Sequence, residues 1–259
     1  MSLVGVVGDG CTTTALGIAA AWPRPEPCMV AELDPAGGCL SAWLDLPRSP
    51  GLAEVVASAA PGSWLSIESA VQRAASGVDV LLAPARAVEA VAVVHAATAF
   101  VLPVLAAINS PVVVADGGRL RGLLSPLAMR SSIVVIAHRQ SSGSAAAATV
   151  GLERVAELTS LLAVRSIPVI VALIGDRPYN ATDVSEFVGA NTVVSLAVDP
   201  WAAAVLAGRA GSAIRLRRSS LMRSFAELAA VTSAALSHIG LGDGKPLQSF
   251  DEPWVDDRS

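Results

Sequence analysis

The sequence predicts an α/β fold in which a doubly wound, mostly parallel sheet is flanked by helices. Three observations predict it: short β-branched runs recur along the chain, helix-length segments separate them, and several of the runs are apolar on both faces. Strands that are apolar on both faces are typical of a parallel sheet covered by helices on each side. The alternation continues to about residue 238, which favours a single domain over residues 1–238.

The predicted elements alternate along the chain. Each predicted strand is a short run rich in Val, Ile, Leu or Ala, and each predicted helix lies between two such runs or after the last of them. The predicted strands cover residues 3–7, 29–33, 78–82, 111–116, 133–137, 169–174 and 192–196. The predicted helices cover residues 13–21, 67–75, 88–108, 118–129, 145–162, 183–189, 200–207 and 219–238.

Composition narrows the class of protein. The 259 residues are 53% hydrophobic and 15% charged, which is typical of a globular protein with a large core and excludes a wholly disordered chain. The net charge of −4 provides no global positive field, so nucleic acid or anionic lipid must be bound by a local patch, if at all. Residues 239–259 are rich in Gly, Pro and acidic residues and are predicted to form a flexible acidic tail.

Cysteine usage and the N-terminal residues predict a cytoplasmic protein. Cys11, Cys28 and Cys39 show neither CxxC nor Cys/His spacing, so we expect reduced thiols and neither a metal site nor a disulfide framework. The first residues lack the basic region of a secretory signal. Residues 90–108 are uncharged and long enough to cross a bilayer, but they include a histidine, a proline and several alanines, which favours a buried core helix.

The segment after the first predicted strand has the residues of a phosphate-binding loop. Gly8 and Gly10 flank Asp9, and Cys11 and threonines 12–14 lead into the first predicted helix. Glycines let backbone N–H groups approach an anion, and a helix N-terminus adds partial positive charge. A plain strand–turn–helix connection is the alternative, but the glycines and hydroxyls at one turn favour a phosphate site.

Acidic residues follow two further predicted strands. Glu32 and Asp34 stand two residues apart in AELDPAGG, and Asp116 ends the fourth strand before two glycines. The carboxyl ends of parallel strands form the edge at which α/β folds bind ligands, so we expect the three carboxylates to converge there. Each acid alone is more often a helix cap or a solvated strand end. Together they predict a site for Mg²⁺ and a metal-bound water.

These segments together resemble the MinD/ParA group of P-loop ATPases. In that group the first loop reads KGGxGKT[ST], the second strand carries a DxDP-like segment followed by glycines, and a later strand supplies the Walker B Asp. The resemblance covers most of residues 2–238 and extends to MinD-like proteins of actinobacteria, whose Ala- and Arg-rich composition this chain shares. It implies binding of ATP or ADP with Mg²⁺, a homo- or heterodimer, and a cytoplasmic, membrane-peripheral or nucleoid-associated protein that regulates or positions a larger assembly.

The resemblance also assigns roles to individual residues. Thr12 matches the Mg²⁺-binding hydroxyl, and Asp116 matches the Walker B carboxylate, so these two are the expected metal contacts. Glu32 and Asp34 match the acidic segment that places the attacking water, and they are the expected catalytic residues. The nucleotide contacts that the resemblance implies are Gly8, Asp9, Gly10, Cys11, Thr12 and Thr13 in the loop, and Asp176, Arg177 and Pro178 in the base-contacting segment LIGDRPYNATDV.

Neither lysine of the group's loop is present. The signature lysine falls at Val6 and the phosphate-binding lysine at Cys11, and the only lysine of the sequence is Lys245. A thiol supplies no positive charge to the phosphates, and a thiolate would repel them. We therefore expect at most a slow ATPase. The alternative is a pseudo-ATPase that serves as a binding module or heterodimer partner, and an unrelated dinucleotide-binding enzyme is disfavoured because GDGCTT is not GxGxxG.

Other cationic residues are candidates to replace the missing lysine. Arg119 and Arg139 follow predicted strands, and Arg177 lies in the base-contacting segment, although each also fits a solvated loop position. His138 ends a strand near the expected ligand crevice. His95 lies in an Ala- and Val-rich helix and is expected to be a core or rim histidine.

A cluster of arginines surrounds the start of the last predicted helix. An amphipathic helix docked on the sheet, with a solvated basic edge, is the simplest interpretation of this segment. Arginines at a helix N-terminus oppose the helix dipole, a cost that an anionic partner relieves. The family resemblance suggests contact with DNA or a membrane here, and the sequence does not separate the two. The arginines are Arg215, Arg217, Arg218 and Arg223.

Overall fold

Eight strands form one sheet in the part of the chain that the structure, a computed structural model, describes. The described residues are 3–58, 63–108, 111–119, 126–140 and 144–241. The strands are β1 (Leu3–Gly8), β2 (Cys28–Glu32), β3 (Gln72–Arg73), β4 (Asp79–Leu81), β5 (Val112–Asp116), β6 (Ile133–Arg139), β7 (Val169–Ile174) and β8 (Val193–Leu196).

The strand order across the sheet is β3-β4-β2-β5-β1-β6-β7-β8. Every neighbouring pair is parallel except β3 with β4, so the predicted doubly wound, mostly parallel sheet is confirmed. The chain enters at β1 in the middle of the sheet and builds outward on both sides of it. Asp116 pairs in register with Val6 on β1 and with Glu32 on β2. The carboxyl ends of these three strands therefore meet where the winding reverses, which is the ligand crevice of such folds.

Helices cover both faces of the sheet. The helices are α1 (Cys11–Ala20), α2 (Leu40–Trp43), α3 (Leu52–Ala57), α4 (Trp64–Glu68), α5 (Ala87–Ala107), α6 (Pro126–Arg130), α7 (Ala145–Val164), α8 (Ala181–Val188), α9 (Pro200–Leu206), α10 (Ala213–Arg217) and α11 (Ser220–Leu241).

The core is divided between the two faces. On one face α1, α2, α9 and α11 contribute to a single apolar cluster, at whose centre the ring of Phe225 on α11 packs against Gly17 of α1. On the other face α3 to α6 share one cluster, and α6 to α8 share a second. Because every central strand is covered on both sides, β1 and β5 are buried along their whole length.

The predicted helix over residues 67–75 is wrong after Glu68. Helix α4 ends at Glu68, and β3 then pairs antiparallel with β4 at the edge of the sheet. An ion pair between Arg73 and Asp79, 2.9 Å between Nη1 and Oδ1, supports this pairing. A strand of two residues at the edge of a sheet forms only through pairing with its neighbour, here β4. It contains no apolar run from which the sequence could predict it.

Other elements also differ from the prediction. The helix predicted over residues 118–129 does not begin at Gly118, whose φ of 74° an α-helix excludes, and its described helical part is α6. The short helices α2, α3 and α10 lie in segments where no element was predicted. Helix α11 continues to Leu241, so residues 239–241 of the predicted tail are helical, and residues 242–259 lie outside the described residues.

Helix α5 is the one described helix that is long and apolar enough to cross a membrane. It has 21 residues and a mean hydropathy of 2.1 in its most apolar window, of which 33% is buried. Its inner face, including Ala97, Val101 and Leu105, packs in the core. On its outer face Val91 and Phe100 are 54% and 52% exposed. The expected buried core helix is thus confirmed for one face of α5 and wrong for the other.

Candidate functional site

The loop between β1 and α1 passes closely between two neighbouring strands. Gly8 and Gly10 have φ values of 109° and 77°, in the region that favours glycine. A Cβ at Gly8 would overlap the carbonyl oxygen of Ala137 on β6, so only glycine fits there. The Gly8 N–H donates to the Gly118 carbonyl at 3.0 Å, and the Asp9 N–H donates to the Ala137 carbonyl at 2.8 Å. These bonds hold the loop between the ends of β5 and β6.

Helix α1 begins directly after this loop with no side chain capping its N-terminus. The first N–H groups of an α-helix have no partner within the helix, and together with the helix dipole they favour an anion. The Thr14 hydroxyl donates to the Gly10 carbonyl at 2.9 Å and closes the first turn. Thr12 and Thr13 lie half-buried in that turn. The structure therefore brings the predicted loop residues together around an uncapped helix end.

Asp116 lies beside this helix end and is 1% exposed. Its Oδ1 accepts a hydrogen bond from the Gly118 N–H at 3.1 Å, but its Oδ2 has no hydrogen-bond partner among the described residues. Burial raises the pKa of Asp116, while the neighbouring Thr12 hydroxyl and Cys11 thiol act to lower it. A buried carboxylate oxygen without a partner is costly unless a proton or a cation binds it. Asp116 and the Thr12 hydroxyl thus offer the oxygen ligands that suit Mg²⁺.

Glu32 ends β2 and is also 1% exposed. Its Oε1 accepts the N–H groups of Cys39 at 2.6 Å and Leu40 at 3.0 Å, and its Oε2 accepts the Ala83 N–H at 3.0 Å. Burial raises the pKa of Glu32, the three N–H groups lower it, and the charge of Asp116 raises it. The carboxylate therefore anchors the start of α2 and the loop after β4. Its predicted role in placing a water stays a prediction.

Asp34 follows β2 and reaches towards the loop after β5. Its Oδ1 accepts the Ala36 N–H at 2.7 Å. The carboxyl group also lies so close to Gly118 that a Cβ at that position would overlap it. Its charge acts to raise the pKa of Asp116. The structure thus brings the three predicted acids to one edge of the sheet, with Asp34 nearest to its surface.

Two thiols lie among these acids and are neutral at pH 7. Burial and the charge of Asp116 raise the pKa of the Cys11 thiol, whose Sγ lies 4.0 Å from the Thr12 Oγ1. Burial and the charges of Glu32 and Asp116 raise the pKa of Cys39 to about 12. The raised pKa disfavours a repelling thiolate at position 11, but the thiol supplies no positive charge where the resemblance places a lysine.

A cavity of about 190 Å³ opens beside the first turn of α1. Gly10, Thr13 and Thr14 line one side of it, and residues 197–200 after β8 line the other. Phe225 forms part of its wall. Sequence reasoning missed residues 197–200, for which the only signal is a strand end followed by a Pro at the start of a helix. Because Gly10 lines it, the cavity adjoins the uncapped end of α1.

Of the predicted cationic residues, Arg139 at the end of β6 lines this cavity. Arg119 and Arg177 are not among its lining residues, although both are exposed. Asp176 and Pro178 are also exposed and lie outside the cavity lining, after the end of β7. The structure therefore places the predicted base-contacting segment outside the cavity lining, and the loop after β8 forms part of the wall.

The two histidines singled out in the sequence differ in environment. His138 on β6 is 7% exposed, packs against Gly151 of α7 and has no partner for its Nε2 among the described residues. Burial lowers the pKa of His138, while the charge of Asp9 acts to raise it. His95 is exposed on α5, so the core position, one of the two expected for it, is wrong.

Solved structures match this chain over nearly its whole length, although no family model and no curated protein matches it. A ParA family ATPase from Chlorobium tepidum TLS superposes with a TM-score of 0.66 at 16% identity, covering 88% of this chain and 98% of that one. MinD complexed with Mg-ADP from Pyrococcus horikoshii OT3 gives a TM-score of 0.66 at 14% identity, covering 92% and 98%. The chain has the fold of the ParA and MinD ATPases. The MinC:MinD cell division complex of Aquifex aeolicus gives 0.64 at 12% identity, covering 96% and 99%.

The buried carboxyls of this ParA/MinD fold predict how stability depends on pH. Glu32 and Asp116 have pKa values raised above their ordinary 4.5 and 3.8, so above about pH 4 the folded chain binds more protons than the unfolded chain. Their contribution to stability is therefore present at low pH and is lost as pH rises through the raised pKa values. The lowered pKa of His138 makes stability rise with pH below the ordinary histidine pKa of 6.5, which is the opposite trend. Because the two pH ranges overlap, a variant is needed to separate the effect of the carboxyls from that of the histidine.

We expect Asp116→Asn to flatten the dependence of Tm on pH and to raise Tm most at high pH. The measurement is a series of thermal melts from about pH 4 to pH 8, which covers the range above the ordinary pKa of Asp116. Glu157→Gln, at an exposed position on α7, is the matched control and leaves the slope unchanged. A profile for Asp116→Asn that runs parallel to the wild-type profile would contradict this assignment.

Proposed function

We propose that this chain binds ATP or ADP together with Mg²⁺ at the loop between β1 and α1. One observation carries the proposal: an uncapped helix N-terminus and a buried Asp116 oxygen without a partner lie side by side at the crevice of the sheet. The helix end offers N–H donors to phosphate oxygens, and Asp116 offers an anionic ligand to a cation. A phosphate–Mg²⁺ group is the ligand that satisfies both.

Each part of the proposed ligand has a place in the site. The backbone N–H groups of Gly10, Cys11 and Thr12 would hold phosphate oxygens, while the Thr12 hydroxyl and Asp116 would hold Mg²⁺, which neutralises phosphate charge. The remaining predicted loop contacts, Gly8, Asp9 and Thr13, shape the cradle. The cavity beside α1 would take the ribose or the base, and Asp176, Arg177 and Pro178, after β7, would contact the base.

The charge of the phosphates is only partly balanced by this site. Arg139 is the one candidate cation that lines the cavity, and we propose that it replaces the missing lysine. A neutral thiol at Cys11 favours slow turnover at most, with Asp34 or Glu32 placing a water. The alternative is a pseudo-ATPase that keeps the fold as a binding module or as a heterodimer partner.

The structural neighbours suggest the wider role. Among them are MinD with Mg-ADP and MinD within a MinC:MinD cell division complex. By analogy of fold, we propose a cytoplasmic or membrane-peripheral protein that forms a nucleotide-dependent homo- or heterodimer and regulates or positions a larger assembly.

An anionic partner is proposed for the basic edge. Arg215, Arg217, Arg218 and Arg223 are exposed around α10 and the start of α11. A DNA backbone and an anionic membrane surface present the same phosphate chemistry to such a cluster. The nucleoid and the membrane are accordingly the two proposed locations of the protein when it is not free in the cytoplasm.

The deciding measurement is a calorimetric titration of the purified chain with Mg-ATP and Mg-ADP, supported by thermal melts. At a ligand concentration one hundred times Kd, binding stabilises a folded protein by about 2.7 kcal/mol, which is visible as a shift in Tm. Neither heat nor a Tm shift at millimolar nucleotide would overturn the proposed nucleotide site and favour the pseudo-ATPase.

Thr12→Ala tests the metal contact within the same titration. Loss of a hydroxyl ligand is expected to weaken Mg-nucleotide binding by roughly ten- to a hundredfold, the range that corresponds to one hydrogen bond to a charged group, and to change binding in EDTA far less. Thr98→Ala on α5, where the hydroxyl bonds only to the Val94 carbonyl, is the control. Equal affinities of Thr12→Ala and the control in Mg²⁺ would remove Thr12 from the metal role.

A further inference from the structure

The surface formed by α9, α10 and the start of α11 carries arginines but no acidic residues to balance their positive charge. Residues 200–226 contain five arginines and no acidic residue. None of these arginines forms an ion pair with another residue in the described part of the chain. They are Arg209, Arg215, Arg217, Arg218 and Arg223.

A solvent-open groove of about 540 Å³ lies within this surface. We call it the basic groove and define it by Trp201, Ile214, Arg215 and Arg218. The Arg215 guanidinium lies 4.1 Å from the centroid of the Trp201 ring, which positions it at the groove. Ile214 is 67% exposed and adds an apolar surface. The groove therefore suits a ligand that combines negative charge with apolar side chains.

The other polar groups at the groove are already engaged. Asp199, its one acidic residue, accepts the Ala202 N–H at 2.9 Å and caps α9. The Ser219 hydroxyl accepts the Met222 N–H at 3.2 Å in the first turn of α11. Arg218 stands just before that helix, where a positive charge is unfavourable to the helix dipole. The arginines are left to bind an external anion.

The chain itself contains a segment with the complementary chemistry. Residues 250–257 read FDEPWVDD, which combines four carboxylates with Phe, Trp and Val and contains no basic residue. Carboxylates pair with guanidinium groups, and an aromatic ring packs on Trp201 and Ile214 without an electrostatic penalty. No other segment of the sequence places four acids among aromatic residues in this way.

The distances allow this segment to reach the groove from the end of α11. Helix α11 has 22 residues, which corresponds to about 33 Å from its first turn, beside the groove, to Leu241. Asp251 follows Leu241 by ten residues, and an extended chain of that length spans about 33–36 Å. Residues 242–250 are thus just long enough to return along α11, and the later acids have length to spare.

We propose that residues 250–257 bind in cis to the basic groove and cover it. The segment is then an intramolecular competitor of any phosphate-bearing partner. This proposal rests on the proposed function only for the identity of the anionic partner that the segment would exclude from the groove. It does not depend on the nucleotide site. A partner must displace the segment before it reaches Arg215 and Arg218.

The test is residue-resolved modification of arginines by phenylglyoxal in the full chain, followed by mass spectrometry. The informative variant neutralises the segment with Asp251→Asn, Glu252→Gln, Asp256→Asn and Asp257→Asn together. Asp243→Asn is the matched control, because it removes an acid from the same tail at a position too close to Leu241 to reach the groove.

We expect Arg215 and Arg218 to react several-fold more slowly in the wild-type chain and in the Asp243→Asn control than in the neutralised variant. Arg154, exposed on α7, reacts equally in all three proteins. Equal rates at Arg215 and Arg218 in all three would overturn the proposal. Protection that increases with protein concentration would overturn the cis arrangement, because it would indicate binding between chains.

Titration of the same proteins with a short DNA duplex and with phosphatidylglycerol vesicles identifies the displaced partner. The neutralised variant is expected to bind one of them about tenfold more tightly at low salt, with the difference shrinking as salt screens the charges. If the protection is present and neither probe binds any variant, the anionic partner proposed for the basic edge is wrong and the cis contact stands. Equal binding of a probe by all three proteins would instead contradict competition by the segment.

Discussion

Phe225→Ala is expected to destabilise the protein by about 3–5 kcal/mol, the usual cost of truncating a buried aromatic ring. Phe225 is the largest of the fully buried side chains among the described residues and is 1% exposed. Its ring packs against Gly17 so closely that a Cβ at that glycine would overlap it. Truncation therefore removes a close contact between α11 and α1 and leaves a cavity in the apolar cluster that the two helices share.

Urea denaturation followed by circular dichroism measures this loss. Phe187→Ala on α8 is the matched control, because that ring is 49% exposed and its truncation is expected to cost less than about 1 kcal/mol. Since Phe225 also lines the cavity beside α1, the variant is expected to bind nucleotide more weakly as well. A loss of stability no larger than that of Phe187→Ala would show that the α1–α11 contact is dispensable.

The sheet was predictable because its strands are buried on both faces. A parallel strand covered by helices must be a short continuous apolar run, and such runs are visible without any knowledge of the neighbours. Strand β3 was missed because its two residues are held by pairing with β4 and by the Arg73–Asp79 ion pair, which connect residues six to eight apart in the sequence. The short helices α2 and α3 depend in the same way on contacts from elsewhere, such as the Glu32 carboxylate at the start of α2.

The site was predictable in its residue types and less so in its contacts. The loop glycines, the threonines and the three acids follow from strand ends that a parallel sheet must bring together. The three N–H bonds to Glu32 were not predictable, because the donors come from two separate loops. The cavity wall at residues 197–200 was missed for a similar reason, since nothing in its local sequence marks a ligand contact.

Cys11→Lys is expected to tighten Mg-ATP binding by roughly ten- to a hundredfold, the range that corresponds to one hydrogen bond to a charged group. Position 11 begins α1, and its side chain lies beside Thr12 and Asp116. An ammonium group there would add the positive charge that the neutral thiol lacks and would partly offset the charge of Asp116. Calorimetry measures the change in affinity, and phosphate release measures the change in turnover.

Cys11→Met is the matched control, because it lengthens the side chain at this buried position without adding charge. A gain shared by both variants would mean that better packing, not charge, limits binding. If Cys11→Lys binds no more tightly than Cys11→Met, the missing lysine is not what weakens the site, and the pseudo-ATPase gains support. If affinity rises while turnover stays flat, the loop binds phosphate as proposed and the barrier to hydrolysis lies elsewhere, at Val6 or in dimer formation. Affinity and turnover therefore separate the two proposed functions more sharply than either measurement alone.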